Sequence, residues 1–125
     1  MKTKESAENY LETIFILSLC GEPVRSIDIA SALDYAKPSV SVAMKNLRNS
    51  GYIVMDTDGF ITLTESGHAI ASSMYERHMM ISDWLIHLGV PKDVALQDAC
   101  KMEHAMSEES FKAIKQHLED WKSSR

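Results

Sequence analysis

Apolar residues recur at helical spacing along most of the chain, and only one short interval shows the alternation that is typical of strands. Residues 6–20 carry apolar side chains three or four positions apart, which predicts an amphipathic first helix. A second, short helix is predicted from Ser26, its N-cap, with Ile27, Ala30 and Leu33 on its inner face.

The next segment predicts a third helix with a polar and basic outer face. It begins at Lys37-Pro38, since proline is well tolerated in the first turn of a helix. Val40, Met44 and Leu47 follow at i, i+4 and i+7 and are predicted to face inward. Two short helices joined by a short turn, the second of them basic, predict a helix-turn-helix.

The alternating interval lies directly after this third helix. Residues 52–55 and 60–63 are two β-prone runs, separated by a four-residue turn, 56–59, that ends in Asp58-Gly59. This pattern predicts a β-hairpin. A hairpin after a helix-turn-helix is a wing, so the N-terminal part is predicted to be a winged helix, with a generic small α+β domain as the alternative.

The remainder of the chain predicts three helices. Thr64 is expected to cap a long helix that ends near Leu88, Pro91 to start the next, and Ser107 to cap the last. Three helices with apolar faces cannot bury these faces well in about 60 residues, which predicts a homodimer. The predicted fold class is mostly α, with a winged helix-turn-helix domain over residues 1–70 followed by an all-helical dimerisation domain over 71–125.

Composition and charge narrow the function. The 125 residues are 45% hydrophobic but contain no run of about 18 apolar residues and begin with a polar segment. Neither a membrane span nor a secretory signal is therefore expected, and the predicted location is the cytoplasm. The net charge of −5 opposes nucleic-acid binding by the chain as a whole. Residues 35–55, however, contain three basic residues and no acidic one, so this segment is the predicted DNA-binding face.

Within this segment the basic and small polar residues have different predicted roles. Lys37, Lys45 and Arg48 are expected to contact phosphate. Pro38, Ser39, Ser41 and Val42 are expected near base edges. Val42 either contacts a thymine methyl group or is simply tolerated at the surface. No bidentate arginine or glutamine reader stands out, so indirect readout is a further expectation.

Cys100, Glu103 and His104 are the candidate metal ligands, and they make the all-helical domain over 71–125 the predicted dimerisation and metal-binding domain. On a helix they occupy positions i, i+3 and i+4, so a thiolate, a carboxylate and an imidazole project from one patch. The alternative is that Cys100 is a buried small side chain and the other two are surface residues. His78 falls on the apolar stripe of the long helix and is either a core histidine or a ligand. Cys20 is predicted to be a core residue, and no disulfide is expected.

Together these features resemble the diphtheria toxin repressor family, whose members are metal-dependent transcriptional regulators of iron or manganese homeostasis. The resemblance rests on the winged helix, Arg77-His78, the Gly-Val-Pro break at 89–91 and the Cys-x-x-Glu-His-x-x-Ser sequence at 100–107. It covers nearly the whole chain and is closest to short, two-domain members without the SH3-like domain. It implies a homodimer that binds a palindromic operator when loaded with divalent metal.

The resemblance also implies a ligand set drawn from two branches of the family. Cys100, Glu103 and His104 match positions of the iron-responsive branch, whereas Glu12 and His78 match positions of the manganese-responsive branch. Asn9 stands where the family usually has Asp or Met. Because a thiolate favours Fe²⁺ over Mn²⁺, iron is the first prediction for the metal and manganese the second.

The predicted function is a metal-dependent DNA-binding transcriptional regulator, expected to act as a repressor and not as an enzyme. The chain has no glycine-rich phosphate loop, nucleophile elbow or C-x-x-C pair. One alternative is a metal-independent winged-helix regulator that senses a small ligand, or redox state through Cys100. A small metalloenzyme with an open coordination position is the other.

Overall fold

The computed structural model describes residues 3–123, with side chains from residue 5 onwards, and it is mostly helical, as predicted. The elements in chain order are α1 (Thr3–Leu19), α2 (Ser26–Leu33), α3 (Lys37–Asn49), β1 (Ile53–Met55), β2 (Ile61–Leu63), α4 (Glu65–His87), α5 (Lys92–Ala105) and α6 (Glu108–Ser123). The chain divides into two compact units between Tyr75 and Glu76, within α4. The predicted domain boundary after residue 70 stays a prediction.

The first unit is a winged helix-turn-helix with its own apolar core. Helix α1 contributes Leu11 and Ile14, and α3 contributes the predicted inward triplet. The remaining buried members of this core come from α2, the hairpin, the segment before α2 and the first turns of α4: Val24, Ile29, Ala30, Ile53, Ile61 and Ala71. Because the core draws on every element of the unit, the helices and the wing hold one another in place.

Helix α2 is rotated relative to the prediction. Ala30 is buried as expected, but Ile29 is buried in place of Ile27, which is 52% exposed. The helix starts one residue after Arg25, whose backbone N–H donates to Asp28 Oδ2 at 2.9 Å. Arg25, not Ser26, is therefore the N-cap. The prediction that Ile27 faces inward is wrong. Ile27 is at helical spacing from Ala30, and Ile29 is at helical spacing from Leu33, so only tertiary packing distinguishes the two isoleucines.

The wing is a two-stranded antiparallel hairpin in which Ile53 pairs with Leu63 and Met55 with Ile61. Ile53 and Ile61 are buried, and their neighbours along each strand are exposed, so the hairpin has the period-2 pattern that the sequence predicts. The backbone N–H of Ile61 also donates to Val24 O at 2.7 Å, which ties the wing to the segment before α2.

Side-chain hydrogen bonds close the wing at its turn and at its exit. Asp56 Oδ1 accepts from the backbone N–H groups of Asp58 and Phe60, both at 2.9 Å. Thr64 Oγ1 accepts from Gly67 N–H at 3.2 Å and caps α4, as predicted. A side chain at position 67 would collide with the Tyr52 carbonyl oxygen, so this close approach of helix to wing requires glycine.

The second unit contains the rest of α4 together with α5 and α6. Its buried apolar residues are Ile81, Ala95, Ala99, Phe111 and Leu118. Ser107 Oγ accepts from Ser110 N–H at 3.1 Å and caps α6, as predicted. Several large apolar residues of this unit are nevertheless exposed, namely Met79, Ile86, Leu88, Val94, Leu96 and Trp121. Across the described residues, no helix combines the length and the apolar character needed to cross a bilayer.

Candidate metal centre and nucleic-acid interface

The buried face of α5 ends in a carboxylate. Ala95, Ala99 and Glu103 follow one another at i, i+4 and i+8, so they lie along one stripe of the helix, and each has no solvent exposure. Small side chains at the first two positions allow close packing, whereas the third position buries a carboxylate. Glutamate is almost never fully buried unless it is paired, so this position indicates a functional group.

Three potential metal-ligand atoms surround the end of this stripe. One ligand atom each from Cys100, Glu103 and His104 lies within 4.8 Å of the other two. The cysteine is exposed, the glutamate buried and the histidine half-buried. Cys100 is therefore not the buried small side chain of the alternative interpretation. The prediction that Cys20 is a core residue is wrong as well, because α1 ends at Leu19 and leaves Cys20 exposed in the turn.

The two oxygens of the Glu103 carboxylate differ in their partners. Oε1 lies 3.2 Å from His78 Nδ1 of α4. Oε2 is buried and has no hydrogen-bond partner among the residues that the structure describes. A buried carboxylate oxygen without a partner is costly, by several kcal/mol for a fully desolvated charge, or about 1–3 kcal/mol for a lost hydrogen bond. A divalent cation beside the thiolate and the imidazole would remove that cost, so the donor set fits a transition metal.

The other predicted ligands lie on α4 and α1. His78 is partly buried, with 20% of its side chain exposed, and its contact with Glu103 places it beside the donor set of α5. Glu12 is buried on α1, at 5% exposure, within the first unit. Asn9 is half-buried one turn earlier, where its backbone oxygen accepts from Thr13 Oγ1 at 2.9 Å. The roles of Glu12 and Asn9 as ligands stay predictions.

Sequence reasoning missed the contribution of Arg77. This residue is 4% exposed, and its guanidinium group donates to carbonyl oxygens at the end of α5. The signal was present in the sequence, because Met74, Arg77 and Ile81 are spaced at i, i+3 and i+7 and thus share one stripe of α4. An arginine within an apolar stripe indicates a buried, multiply bonded guanidinium.

The predicted DNA-binding residues all lie on the outer face of α3. Those assigned to phosphate and to base edges are exposed: Lys37, Pro38, Ser39, Ser41, Val42, Lys45 and Arg48. Val42 is 61% exposed, which is unusual for valine and leaves its methyl groups available to a partner. The inner face holds the buried triplet of the core, so the basic surface of α3 lies opposite its packed side. The assignment of these residues to DNA stays a prediction.

A groove lies behind this helix, within the first unit. It has a volume of about 630 Å³ and is lined from α1 by Ala7, Tyr10 and Leu11 and from α3 by Ala43 and Leu47. Burial, and secondarily the neighbouring Tyr35, raises the pKa of Tyr10 above its ordinary value.

Comparison with known proteins agrees with this architecture. Residues 2–59 match the family model of the iron dependent repressor N-terminal DNA binding domain, and residues 64–124 match that of the iron dependent repressor metal binding and dimerisation domain. The chain therefore belongs to the iron-dependent repressor family, which is the diphtheria toxin repressor family predicted above. It is a metal-dependent, DNA-binding transcriptional regulator, and members of this class are not enzymes.

Individual relatives cover most of the chain. It is 32% identical to an uncharacterised HTH-type transcriptional regulator of Methanocaldococcus jannaschii, over 94% of this chain and 96% of the relative. It is 33% identical to the transcriptional regulator MntR of Salmonella typhimurium, over 89% of this chain and 71% of MntR. The solved structure of the manganese regulator SloR superimposes with a TM-score of 0.79 and 29% identity, over 90% of this chain and 53% of that chain. The chain thus spans about half the length of the solved SloR chain.

The buried carboxylate makes a prediction about stability. Replacing Glu103 by Gln removes a buried charge but keeps an oxygen that can accept from His78. Without metal, we expect the free energy of unfolding to stay within about 1 kcal/mol of wild type, or to rise. With metal at a hundredfold excess over its Kd, wild type gains about 2.7 kcal/mol, whereas the variant gains little.

Thermal unfolding in EDTA and in Co²⁺ measures both quantities. Glu109→Gln is a matched control, since Glu109 is an exposed residue in the first turn of α6 and should leave the metal-dependent gain intact. An equal metal-dependent gain in Glu103→Gln and wild type would remove Glu103 from the ligand set.

Proposed function

We propose that this protein controls iron or manganese homeostasis as a homodimer that binds operator DNA when a divalent metal occupies the α5 donor set. One observation carries the proposal: a fully buried Glu103, with Oε2 lacking a hydrogen-bond partner among the described residues, next to the ligand atoms of Cys100 and His104. The cytoplasmic location is part of the same proposal. The exposed apolar residues of the second unit are the surface that we assign to the homodimer.

The proposed ligands contribute different chemistry. Cys100 supplies a soft thiolate, Glu103 a hard carboxylate oxygen and His104 a borderline imidazole nitrogen. The bound cation supplies positive charge that balances the thiolate and the carboxylate. His78, already in contact with Glu103, is proposed as a further donor or as the group that orients this carboxylate. Glu12 and Asn9 remain proposed ligands from α1.

We propose iron as the metal sensed, with manganese second. A thiolate raises affinity for Fe²⁺ more than for Mn²⁺, which lies lowest in the affinity order of the divalent first-row ions. The family is described by its response to iron, whereas SloR is described as a manganese regulator, so relatives support both choices. The thiolate of Cys100 is what favours iron in this chain.

On DNA, the proposal assigns the outer face of α3 to the major groove. Lys37, Lys45 and Arg48 bind phosphate, and the small residues Ser39, Ser41 and Val42 lie toward base edges. In a homodimer the two α3 helices read half-sites about one DNA turn apart, or a multiple of it, so a palindromic operator is expected. Loss of bound metal reduces affinity for that operator through the coupling between the two sites.

The groove behind α3 favours a second candidate function, a winged-helix regulator controlled by a small organic ligand. Its volume of about 630 Å³ is within the range of small-molecule sites, and it borders the inner face of the helix proposed to read DNA. In that case chelators should leave operator binding unchanged. The exposed thiol of Cys100 could then respond to oxidants instead of to metal.

The main prediction concerns metal and operator binding. Affinity of the purified chain for its own upstream DNA should fall at least tenfold when metal is removed by chelator, which corresponds to about 1.4 kcal/mol of coupling. Fluorescence anisotropy with a panel of divalent ions measures this change. Glu12→Gln and His78→Gln should need more metal for the same affinity, if these residues are ligands. Equal operator affinity with and without metal would support the small-ligand function instead.

A second prediction tests the DNA-binding face. Lys45→Ala and Arg48→Ala each remove a cation that neutralises phosphate, so affinity should fall for all DNA sequences alike. The slope of log K against log salt should decrease by roughly one unit for each phosphate that is no longer neutralised. Lys112→Ala, an exposed lysine of α6, is the control and should keep the wild-type slope. Unchanged slopes in both α3 variants would place the DNA elsewhere.

A third prediction concerns the choice of metal. Cys100→Glu replaces a soft donor by a hard one of the same charge, so the ratio of Fe²⁺ to Mn²⁺ concentrations that activate operator binding should shift toward Mn²⁺ by about tenfold. Anaerobic titration of both proteins measures the ratio. Cys20→Ser, which alters the other exposed cysteine, is the control. The same ratio in Cys100→Glu and wild type would mean that Cys100 is not a ligand.

A further inference from the structure

The guanidinium group of Arg77 closes the C-terminal end of α5. Its Nη1 donates to Glu103 O at 2.9 Å and to Met106 O at 2.6 Å. The last four carbonyl groups of a helix have no partner within the helix, and Glu103 O is one of these four in α5. Arg77, which extends from α4, therefore provides a side-chain cap whose positive charge also complements the negative end of the helix dipole.

The guanidinium group makes two further contacts at the start of α6. Arg77 Nη2 donates to Glu108 Oε2 at 3.0 Å, at the start of α6, and the guanidinium carbon lies 5.1 Å from the centre of the Phe111 ring. The Glu108 side chain is 57% exposed, so this ion pair by itself contributes little. The bonds to the two carbonyl groups, buried at Glu103 O and partly buried at Met106 O, are the ones that restrain α5.

Two consecutive residues of α4 thus contact Glu103, one at its main chain and the other at its side chain. Arg77 binds its main-chain carbonyl group, while His78 Nδ1 contacts its carboxylate at 3.2 Å. His104 is the next residue along α5, so the restraint that Arg77 places on the backbone acts on two of the three donors. A donor that is held in place before metal arrives loses less conformational entropy on binding.

We propose that Arg77 is a positioning residue for the metal centre, in that it sets the last turn of α5 so that Glu103 and His104 are aligned before metal binds. This inference rests on the proposed α5 metal site. Arg77 has no donor atom for a cation, and it acts only through the backbone of the ligands. Loss of such an outer contact is expected to weaken metal binding about 10–100-fold without removing any ligand.

Co²⁺ titration of the full chain tests this role, with Arg77→Lys as the main variant. Lysine keeps the positive charge and the long aliphatic chain. Its single ammonium group cannot reproduce the planar guanidinium, which donates hydrogen bonds to both carbonyl groups. We expect the Kd for Co²⁺ to rise at least tenfold. At saturating Co²⁺ we also expect altered ligand-field absorption, because the carboxylate and imidazole of the variant take up a looser geometry. A change that is merely structural would lower the melting temperature and leave the saturated spectrum unchanged.

Two control variants distinguish the effect of the hydrogen bonds from Arg77 to the carbonyl groups from the effect of nearby ion pairs. Glu108→Gln removes the charge partner but leaves both carbonyl bonds of Arg77, and its Kd should stay within about twofold of wild type. Lys115→Gln removes the exposed ion pair of Lys115 Nζ with Glu76 Oε2, 2.7 Å apart, which joins α6 to α4 without a bond to α5. It should likewise bind Co²⁺ as wild type does.

Hydrogen exchange of the wild-type chain provides a test that does not depend on folding of the variant. In metal-free protein, the amides of residues 102–105 should already be as protected as those of the buried turns of α6. Rapid exchange there without metal, or an Arg77→Lys protein with wild-type Kd and spectrum, would overturn the inference. Wild type that binds no Co²⁺ through Cys100 would instead overturn the proposed function, and the two failures are therefore distinguishable.

Discussion

The candidate metal site of the second unit depends on one buried carboxylate. Glu103 occupies a position of α5 that an apolar residue would fill in an ordinary helix packed against its neighbours, and it lacks any contact with solvent. Among the described residues, His78 of α4 is the hydrogen-bond partner of its side chain. This part of the fold therefore gives up stability to keep in place a buried oxygen that lacks a hydrogen-bond partner among the described residues, which is a cost typical of functional sites.

The DNA-binding unit is built differently, since its stability comes from apolar packing. Its core joins all three helices, the hairpin and the start of α4, and its ends are closed by short-range hydrogen bonds such as the Thr64 cap. None of these contacts needs an ion. The surface proposed to read DNA is thus supported by apolar packing within this unit.

The sequence predicts the elements well because each has a local signal. Caps at Thr64 and Ser107 and the Asp58-Gly59 turn are chemical features that act within a few residues, and the structure confirms them. Which side of a short helix faces inward depends on tertiary packing, and so periodicity predicts Ile27 where Ile29 is buried. Periodicity cannot separate two residues that both fit it.

The sequence predicts which residues form the α5 donor set, but it does not predict their burial or their hydrogen-bond partners. Spacing brings Cys100, Glu103 and His104 together because a helix fixes these distances. The solvent exposure of a carboxylate depends on the elements that pack over it. The hydrogen-bond partner of each of its oxygens depends on the same elements. The role of Arg77 belongs to this second kind of information, because its acceptors are main-chain carbonyl groups far along the chain, at 103 and 106, which no side-chain pattern reveals.

The turn of the wing has a consequence for the search for an operator. Asp56 and Asp58 place two acidic groups at the exposed turn of the hairpin, so this turn repels phosphate, in a chain whose net charge is −5. Nonspecific affinity for DNA comes almost entirely from neutralised phosphates. On a DNA face limited to the three basic residues proposed on α3, few phosphates would be neutralised, so weak binding to the many competing sites of a genome is expected.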